Sequence, residues 1–284
     1  MTLTRQQQTL LAELVSAIGD LPGLRAVVLG GSHARGRATK GSDIDVGLYY
    51  SEQAPFSIEA LESRLAQVEQ LTHSGATDFY EWGPWVNGGA WLEIDGHRID
   101  LLYRSIEKCE SVVNHARAGK YEIHFGQQPP FGYFSPTILG ELHVCRPLLD
   151  PRGDIIALKA AVQVYPDKLQ RAVLDSCLRG IEFGLAAFAP KFAQRGDSYN
   201  VAACTSRFVF FLILSLFALN RRYFLNDKTA LDEIAEMDIA PKAFKARANA
   251  LLSTVGSTPD ELNRSIEQTR ALFEETADLA GWKT

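Results

Sequence analysis

The stretch 27–50, VVLGGSHARGRATKGSDIDVGLYY, constrains this chain more than any other. An apolar run breaks at Gly30-Gly31-Ser32, crosses a basic loop, and re-enters an apolar run that carries Asp43 and Asp45. Side chains alternate faces along a strand, so residues two apart point the same way. Asp43 and Asp45 are therefore expected side by side on one face, with Ile44 and Val46 on the other. Adjacent carboxylates repel unless a cation sits between them, and a divalent metal is the usual solution. A tight glycine turn offers backbone N–H groups to phosphate oxygens. A phosphate cradle beside metal-binding carboxylates reads as a nucleotide-handling site.

A third carboxylate lies downstream. Residues 90–103, AWLEIDGHRIDLLY, alternate as a hairpin about the turn signal Asp95-Gly96. With that two-residue loop, Ile94 pairs with His97, Glu93 with Arg98, Leu92 with Ile99, and Trp91 with Asp100. One face then carries Trp91, Glu93, Arg98 and Asp100, and the other Leu92, Ile94, Ile99 and Leu101. Asp100, on an otherwise apolar strand, needs a cationic partner: a metal, or Arg98 on its own face. Glu93 faces Arg98 and reads as its structural partner.

The surrounding pattern supplies a scaffold. Residues 4–19 have amphipathic helical spacing, Leu24–Leu29 forms a first strand and residues 43–50 a second. Ser57 caps a helix expected to run through Gln70. Ser105 caps another that ends near Gly119, and residues 121–125 suggest a short strand. Ser135 and Pro136 are expected as N-cap and first residue of a further helix. Leu148 and Leu149 suit an edge strand before the turn at 150–153. From 154 onward strand alternation stops, and helices are expected over 166–194, 197–219, 228–237, 241–253 and 259–280. The outline is an α/β half over residues 1–150 and an all-helical half over 151–284.

Composition narrows the class. The 284 residues are 46% hydrophobic and 22% charged, enough to bury a substantial core. A net charge of −5 argues against duplex nucleic acid, whose binding relies on many Lys/Arg–phosphate contacts. Cys109, Cys145, Cys177 and Cys204 contain no C-x-x-C pair, so neither a zinc site nor a disulfide framework is indicated, and they are expected reduced and buried. The N-terminus lacks a signal-peptide pattern. The apolar run 208–219 falls short of the roughly 20 residues a bilayer requires and reads as a core helix. No membrane partner is expected, and the location is expected to be cytoplasmic.

Two coincidental patterns are dismissed. Residues 31–36 have P-loop glycine spacing, but Arg37-Ala38 stands where Lys-Ser/Thr is required. Arg117 and His124 share the spacing of a helical ribonuclease motif, but straddle Gly119. The specific signal is the combination: strand, Gly31-Ser32, ten residues, Asp43-Ile44-Asp45 in the next strand, and the later strand-borne Asp100. This combination resembles the DNA polymerase β-type nucleotidyltransferase superfamily over residues 24–103. The resemblance implies an α+β fold, a mixed sheet with flanking helices, followed here by an all-α helical bundle. It implies that Gly30, Gly31 and Ser32 hold the triphosphate of an NTP, with ATP the expected donor. It also implies that Asp43, Asp45 and Asp100 bind Mg²⁺ in a two-metal site.

The chemistry is consistent with that set. Nucleotidyl transfer is an in-line attack of an acceptor oxygen on the α-phosphorus, and two metals about 3.5–4 Å apart neutralise charge and lower the acceptor's pKa. Asp43 and Asp45 would bridge both ions. Asp100 would serve the one that activates the acceptor, or take the acceptor proton as general base. Arg35, Arg37 and Lys40 are placed to reach phosphate or to be solvated, and His33 to bond a phosphate or orient the loop. Trp82, Trp85 and Trp91 default to packing, although Trp91 faces the carboxylates and is placed to stack on a base or ring.

The helical half carries Asn220-Arg221-Arg222-Tyr223 and, further on, Lys228, after Arg195-Gly196-Asp197. These segments are loosely similar to those of antibiotic nucleotidyltransferases. That likeness makes Arg222 and Lys228 candidates for triphosphate or acceptor contacts, with Tyr199, Asn200 and Arg207 as cleft residues. It also implies a small hydroxylated acceptor, aminoglycoside- or lincosamide-like. The alternatives are transfer to a macromolecule (tRNA or protein), or a non-catalytic nucleotide-binding, antitoxin-like role.

Overall fold

In the computed structural model, which describes residues 3–73 and 75–283, the chain divides into two compact units. The first runs through His115 and resumes over Glu122–Val164. The second takes Ala116–Tyr121 and the chain from Tyr165 onward.

The first unit contains, in order, α1 (Arg5–Ile18), β1 (Leu24–Leu29), α2 (Gly31–Ala34), β2 (Ile44–Tyr50), α3 (Ile58–Leu65), β3 (Leu71–His73), β4 (Gly89–Ile94), β5 (His97–Ser105), α4 (Ile106–Arg117), β6 (Ile123–His124), β7 (Tyr133–Phe134), α5 (Thr137–Val144), β8 (Arg146–Leu149) and α6 (Asp154–Ala161). Its six-stranded sheet has the order β3-β4-β5-β2-β1-β8. β2 and β5 are parallel and the other neighbours antiparallel, so the sheet is mixed. Asp95 and Gly96 both take positive φ, 49° and 73°, as a two-residue type I′ turn requires. That turn fixes the hairpin register at Ile94↔His97, Glu93↔Arg98, Leu92↔Ile99 and Trp91↔Asp100, the pairing expected from sequence. Pro147 falls on β8, an edge strand, the part of a sheet where proline is tolerated.

Alternation then sorts the sheet's faces. Val27 and Leu29, Ile44, Val46 and Leu48, Leu92 and Ile94, and Ile99 and Leu101 are buried in one core with Leu14 and Ile18 of α1 and Leu61 and Leu65 of α3. Thr4 and Gln7 form a capping box that starts α1, and the Ser57 hydroxyl accepts from Ala60 N–H to start α3. α3 stops at Leu65, short of the expected Gln70, because 3₁₀-type bonds from Gln67 to Arg64 and from Val68 to Leu65 close it. On the opposite face, the C-terminal ends of β2 and β5 are covered. There Arg104 is only 5% exposed and forks onto Glu141 of α5 at 2.8 and 2.9 Å. α5 starts one residue later than expected, with Pro136 at the N-cap, because the Ser135 hydroxyl is taken by Glu122 N–H. The unit continues past the turn at 150–153. Arg25 pairs with Asp154 at 2.6 Å, and Lys159 donates to the carbonyls of Leu142, His143 and Cys145, which ties α6 to the sheet.

The second unit is built from α7 (Asp167–Ala187), α8 (Ala189–Gln194), α9 (Ser198–Leu219), α10 (Asp227–Ala235), α11 (Phe244–Ser253) and α12 (Pro259–Leu279). α9 is long and apolar enough to cross a membrane by length and composition, yet 67% of its most apolar window is buried, against α7 and α12 among others. Gly184 admits the Phe208 ring, which stands 2.4 Å from where a Cβ would project. The helix expected over 166–194 breaks at Phe188, just before Pro190 opens α8 without an N–H. α11 begins at Phe244 rather than Pro241 because Ala243 is left-handed, φ 54°. Cys109, Cys145 and Cys177 are buried and Cys204 half-buried, all as free thiols. Burial pushes Cys109 and Cys177 up to about 12 and Cys145 to about 11.

Candidate active site

Three strands present a grid of polar side chains at the uncovered end of the sheet. Residues 43 and 45 alternate with buried Ile44 and Val46, and Asp45 continues into β2. The parallel register sets Ile44 beside Ile99 and Asp45 beside Asp100. One step earlier, the same register sets Asp43 beside Arg98. Across the hairpin, Trp91 stands opposite Asp100 and Glu93 opposite Arg98. One row therefore reads Asp45, Asp100, Trp91 and the next Asp43, Arg98, Glu93, with strands about 4.8 Å apart.

The glycine turn is interlocked with this grid. Gly30 N–H donates to the Asp45 carbonyl at 2.8 Å, anchoring the end of β1 to β2. Gly31 has φ +54°, and a Cβ there would fall 1.7 Å from Asp45 Oδ2. The Asp45 carboxylate thus lies directly against the Gly31 backbone, and only glycine fits. Ser32 follows in α2, a single helical turn whose first N–H groups have no intrahelical acceptor. Arg146 Nε holds that turn from behind through the Ala34 carbonyl, 3.1 Å.

Arg98 is the residue whose role differs from expectation. Its Nε lies 2.7 Å from Asp43 Oδ1, and its Nη2 donates to the Gly41 carbonyl at 3.3 Å. Sequence reasoning paired it with Glu93 or Asp100. The register that continues from Ile44↔Ile99 places Asp43 at its side instead. Asp43 Oδ1 is buried and, apart from this ion pair, has no hydrogen bond of normal geometry.

His33 is buried in α2, and neither ring nitrogen makes a full hydrogen bond. Burial lowers its pKa, with the Ser42 backbone only partly offsetting that. It supports the loop from inside rather than reaching outward. Arg35 is half-buried, and Arg37 and Lys40 are exposed on the loop. Trp91 is 55% exposed and stacks on Trp82, with ring centroids 4.9 Å apart. Trp85 instead packs on Tyr133.

The donor set suits a hard divalent cation. Its candidate ligand atoms are all carboxylate oxygens, two of the aspartates are register partners, and the buried Asp43 Oδ1 has the Arg98 ion pair as its recorded contact. Among the described residues no three acidic, His or Cys side chains already converge on one point; Asp43 is turned to Arg98. Arg222 and Lys228 belong to the second unit. There Arg222 lies 3.9 Å from the buried Glu233, and Lys228 is exposed on the first turn of α10. Asp197 caps α9 through Asn200 N–H, and Tyr199 is exposed beside it. Sequence gave no signal for Trp82 as the partner of Trp91. The Arg98–Asp43 pair was readable only by laying β2 parallel to β5.

Residues 11–121 match the family model described as a nucleotidyltransferase domain, and residues 137–228 a domain of unknown function (DUF4037). No curated protein matches the chain in sequence. Similar solved structures include a nucleotidyltransferase-like protein from Exiguobacterium sibiricum (8% identity, TM-score 0.42), covering 96% of this chain and 76% of its own. An aminoglycoside 6-adenyltransferase from Bacillus subtilis aligns at 11% identity and TM-score 0.33, covering 99% and 93%. CdnC of Escherichia coli MS115-1, solved in complex with HORMA-deltaN, aligns at 14% identity and TM-score 0.27, covering 95% and 90%.

Proposed function

We propose that this chain, whose residues 11–121 match a nucleotidyltransferase domain, transfers an NMP, AMP in the first instance, from an NTP to a hydroxyl of a small-molecule acceptor. The observation that carries this reading is the Asp45–Asp100 register pair lying against the Gly31 turn. Gly30, Gly31 and Ser32 hold the triphosphate, with Arg35 and Lys40 of the following loop offsetting its charge. Asp43, Asp45 and Asp100 would hold Mg²⁺. Bound there, divalent ions supply charge neutralisation and a more acidic acceptor hydroxyl.

The acceptor oxygen forms a bond to the α-phosphorus as the bond from that phosphorus to the bridging oxygen breaks, and pyrophosphate leaves on the opposite side. Asp100 receives the hydroxyl proton. A net charge of −5 and four carboxylates on the grid, with Arg98 as their cationic neighbour there, favour a compact cationic acceptor over a polyanion. The reading places the protein in the cytoplasm, where NTP donors are held.

The test is incubation with α-labelled ATP, Mg²⁺ and a metabolite extract containing protein and RNA. Label on small molecules with matching pyrophosphate release is expected. Label on RNA or protein would overturn the acceptor class, and nucleotide binding without pyrophosphate would overturn the activity.

A further inference from the structure

Building on that reading, we infer that Trp91 and Trp82 form the acceptor-side platform of the site, on which a cationic, hydroxylated ring lies. Gly30 is bonded to Asp45, Asp45 is the register partner of Asp100, and Asp100 is the register partner of Trp91. The phosphate turn and Trp91 therefore stand at opposite ends of one row, with the two carboxylates between them. In an in-line displacement, the acceptor and the leaving pyrophosphate occupy opposite sides of the reacting phosphorus. With pyrophosphate at the glycine turn, the acceptor falls at the tryptophan end.

That end is constructed rather than incidental. Trp91 is 55% exposed on the face of β4 opposite buried Leu92 and Ile94. Its ring is braced by Trp82, with an interplanar angle of 27°. The loop that carries Trp82 is pinned by buried Gln127. Its Nε2 donates to the carbonyls of Trp82 (2.9 Å) and Val86 (2.8 Å), and its Oε1 accepts from Trp85 N–H (2.9 Å). Gly83, at φ +122°, makes room for that glutamine, whose Cδ stands 2.8 Å from a would-be Cβ. A rigid, half-exposed indole pair offers a flat apolar face and attraction for cations. Glu93, exposed two residues along the same face, and Asp100 bring carboxylates beside it, while Arg98, opposite Glu93, is turned to Asp43. A ring with an apolar face and ammonium substituents matches both features. A linear polyamine matches only the charge, and a nucleoside only the stack.

The experiment compares neamine, spermidine and adenosine by calorimetry on wild type, Trp91→Ala and Trp91→Phe, with thermal melts to establish folding. Binding of a non-hydrolysable ATP with Mg²⁺ is measured in parallel. Neamine should bind wild type, lose at least about tenfold in Trp91→Ala and recover most of it in Trp91→Phe, since stacking is restored. Spermidine binding and Mg²⁺–nucleotide binding should change less than about twofold, because charge and phosphate contacts are untouched. Equal neamine affinity in wild type and Trp91→Ala, or none in wild type, overturns the platform. Loss of nucleotide binding in Trp91→Ala gives the platform to the donor's base and also overturns it. Absence of Mg²⁺–nucleotide binding in wild type brings down the transferase reading itself, a result separable from the others.

Discussion

Asp45 and Asp100 are direct register partners in the parallel pairing of β2 with β5, although 55 residues separate them in sequence. A parallel pair requires a crossover, and here the intervening chain supplies α3, β3 and β4 before β5 returns beside β2. Backbone hydrogen bonds hold the two strands about 4.8 Å apart, so the two aspartates occupy adjacent positions of the ladder, and the Asp45 carboxylate lies against the Gly31 backbone.

From this placement Asp100→Asn is expected to leave Mg²⁺–nucleotide affinity within about threefold while lowering turnover at least a hundredfold, the scale of a lost general base or activating ligand. Calorimetry paired with pyrophosphate release measures both. Equal loss of binding and turnover would instead make Asp100 a binding residue.

Gly31→Ala is expected to damage the site more than the fold. The left-handed backbone costs an alanine about 1–2 kcal/mol, and the new Cβ would displace the Asp45 carboxylate that now lies 1.7 Å from its position. A variant that melts a few degrees lower but has lost metal-dependent nucleotide binding meets this expectation. Wild-type nucleotide affinity would show that Asp45 does not need its contact with the turn.

Arg98 is ion-paired with Asp43, so under the proposed function it would compete with a divalent ion for that carboxylate. It is largely exposed, so Arg98→Ala should fold normally, and an exposed pair contributes about 0.2–1 kcal/mol. Divalent-ion affinity, followed by Mn²⁺ titration, should therefore rise about twofold to fivefold. A fall in affinity would show that Arg98 instead organises the carboxylates for the ion.

His33 links stability to pH. Its folded pKa lies below the ordinary value of about 6.5 because burial disfavours the imidazolium. In the window below 6.5 the unfolded chain binds the extra proton, so stability rises with pH there and is lost as pH falls. Wild type should lose stability relative to His33→Leu between pH 7 and pH 5 in urea melts. A difference that does not change with pH would show that His33 is not held neutral.

The parts of the fold that were legible share a local cause. The β4–β5 register follows from Asp95-Gly96 and strict alternation, and the aspartates' shared face follows from the two-residue strand period. The starts of α1, α3, α9 and α12 carry side-chain caps that the sequence displays. What was not legible depends on distant partners or on single backbone choices. Arg98 turns to Asp43 because β2 and β5 are parallel, a pairing no local pattern announces. The start of α11 waits for a left-handed Ala243, a conformation that residue does not advertise. The break at Phe188 was readable in hindsight from Pro190, but the surrounding apolar spacing continued straight through it. The platform depends on Gln127, which meets Trp82 from 45 residues away.

The most direct test is calorimetric titration of a non-hydrolysable ATP into wild type and Asp45→Asn, each with Mg²⁺ and with EDTA. Binding is expected in wild type with Mg²⁺ alone, and at least about tenfold weaker in the other three conditions, since each removes the cation or a carboxylate that holds it. Equal affinity in EDTA, or in Asp45→Asn with Mg²⁺, would contradict a metal-dependent nucleotide site at the Asp45–Asp100 pair.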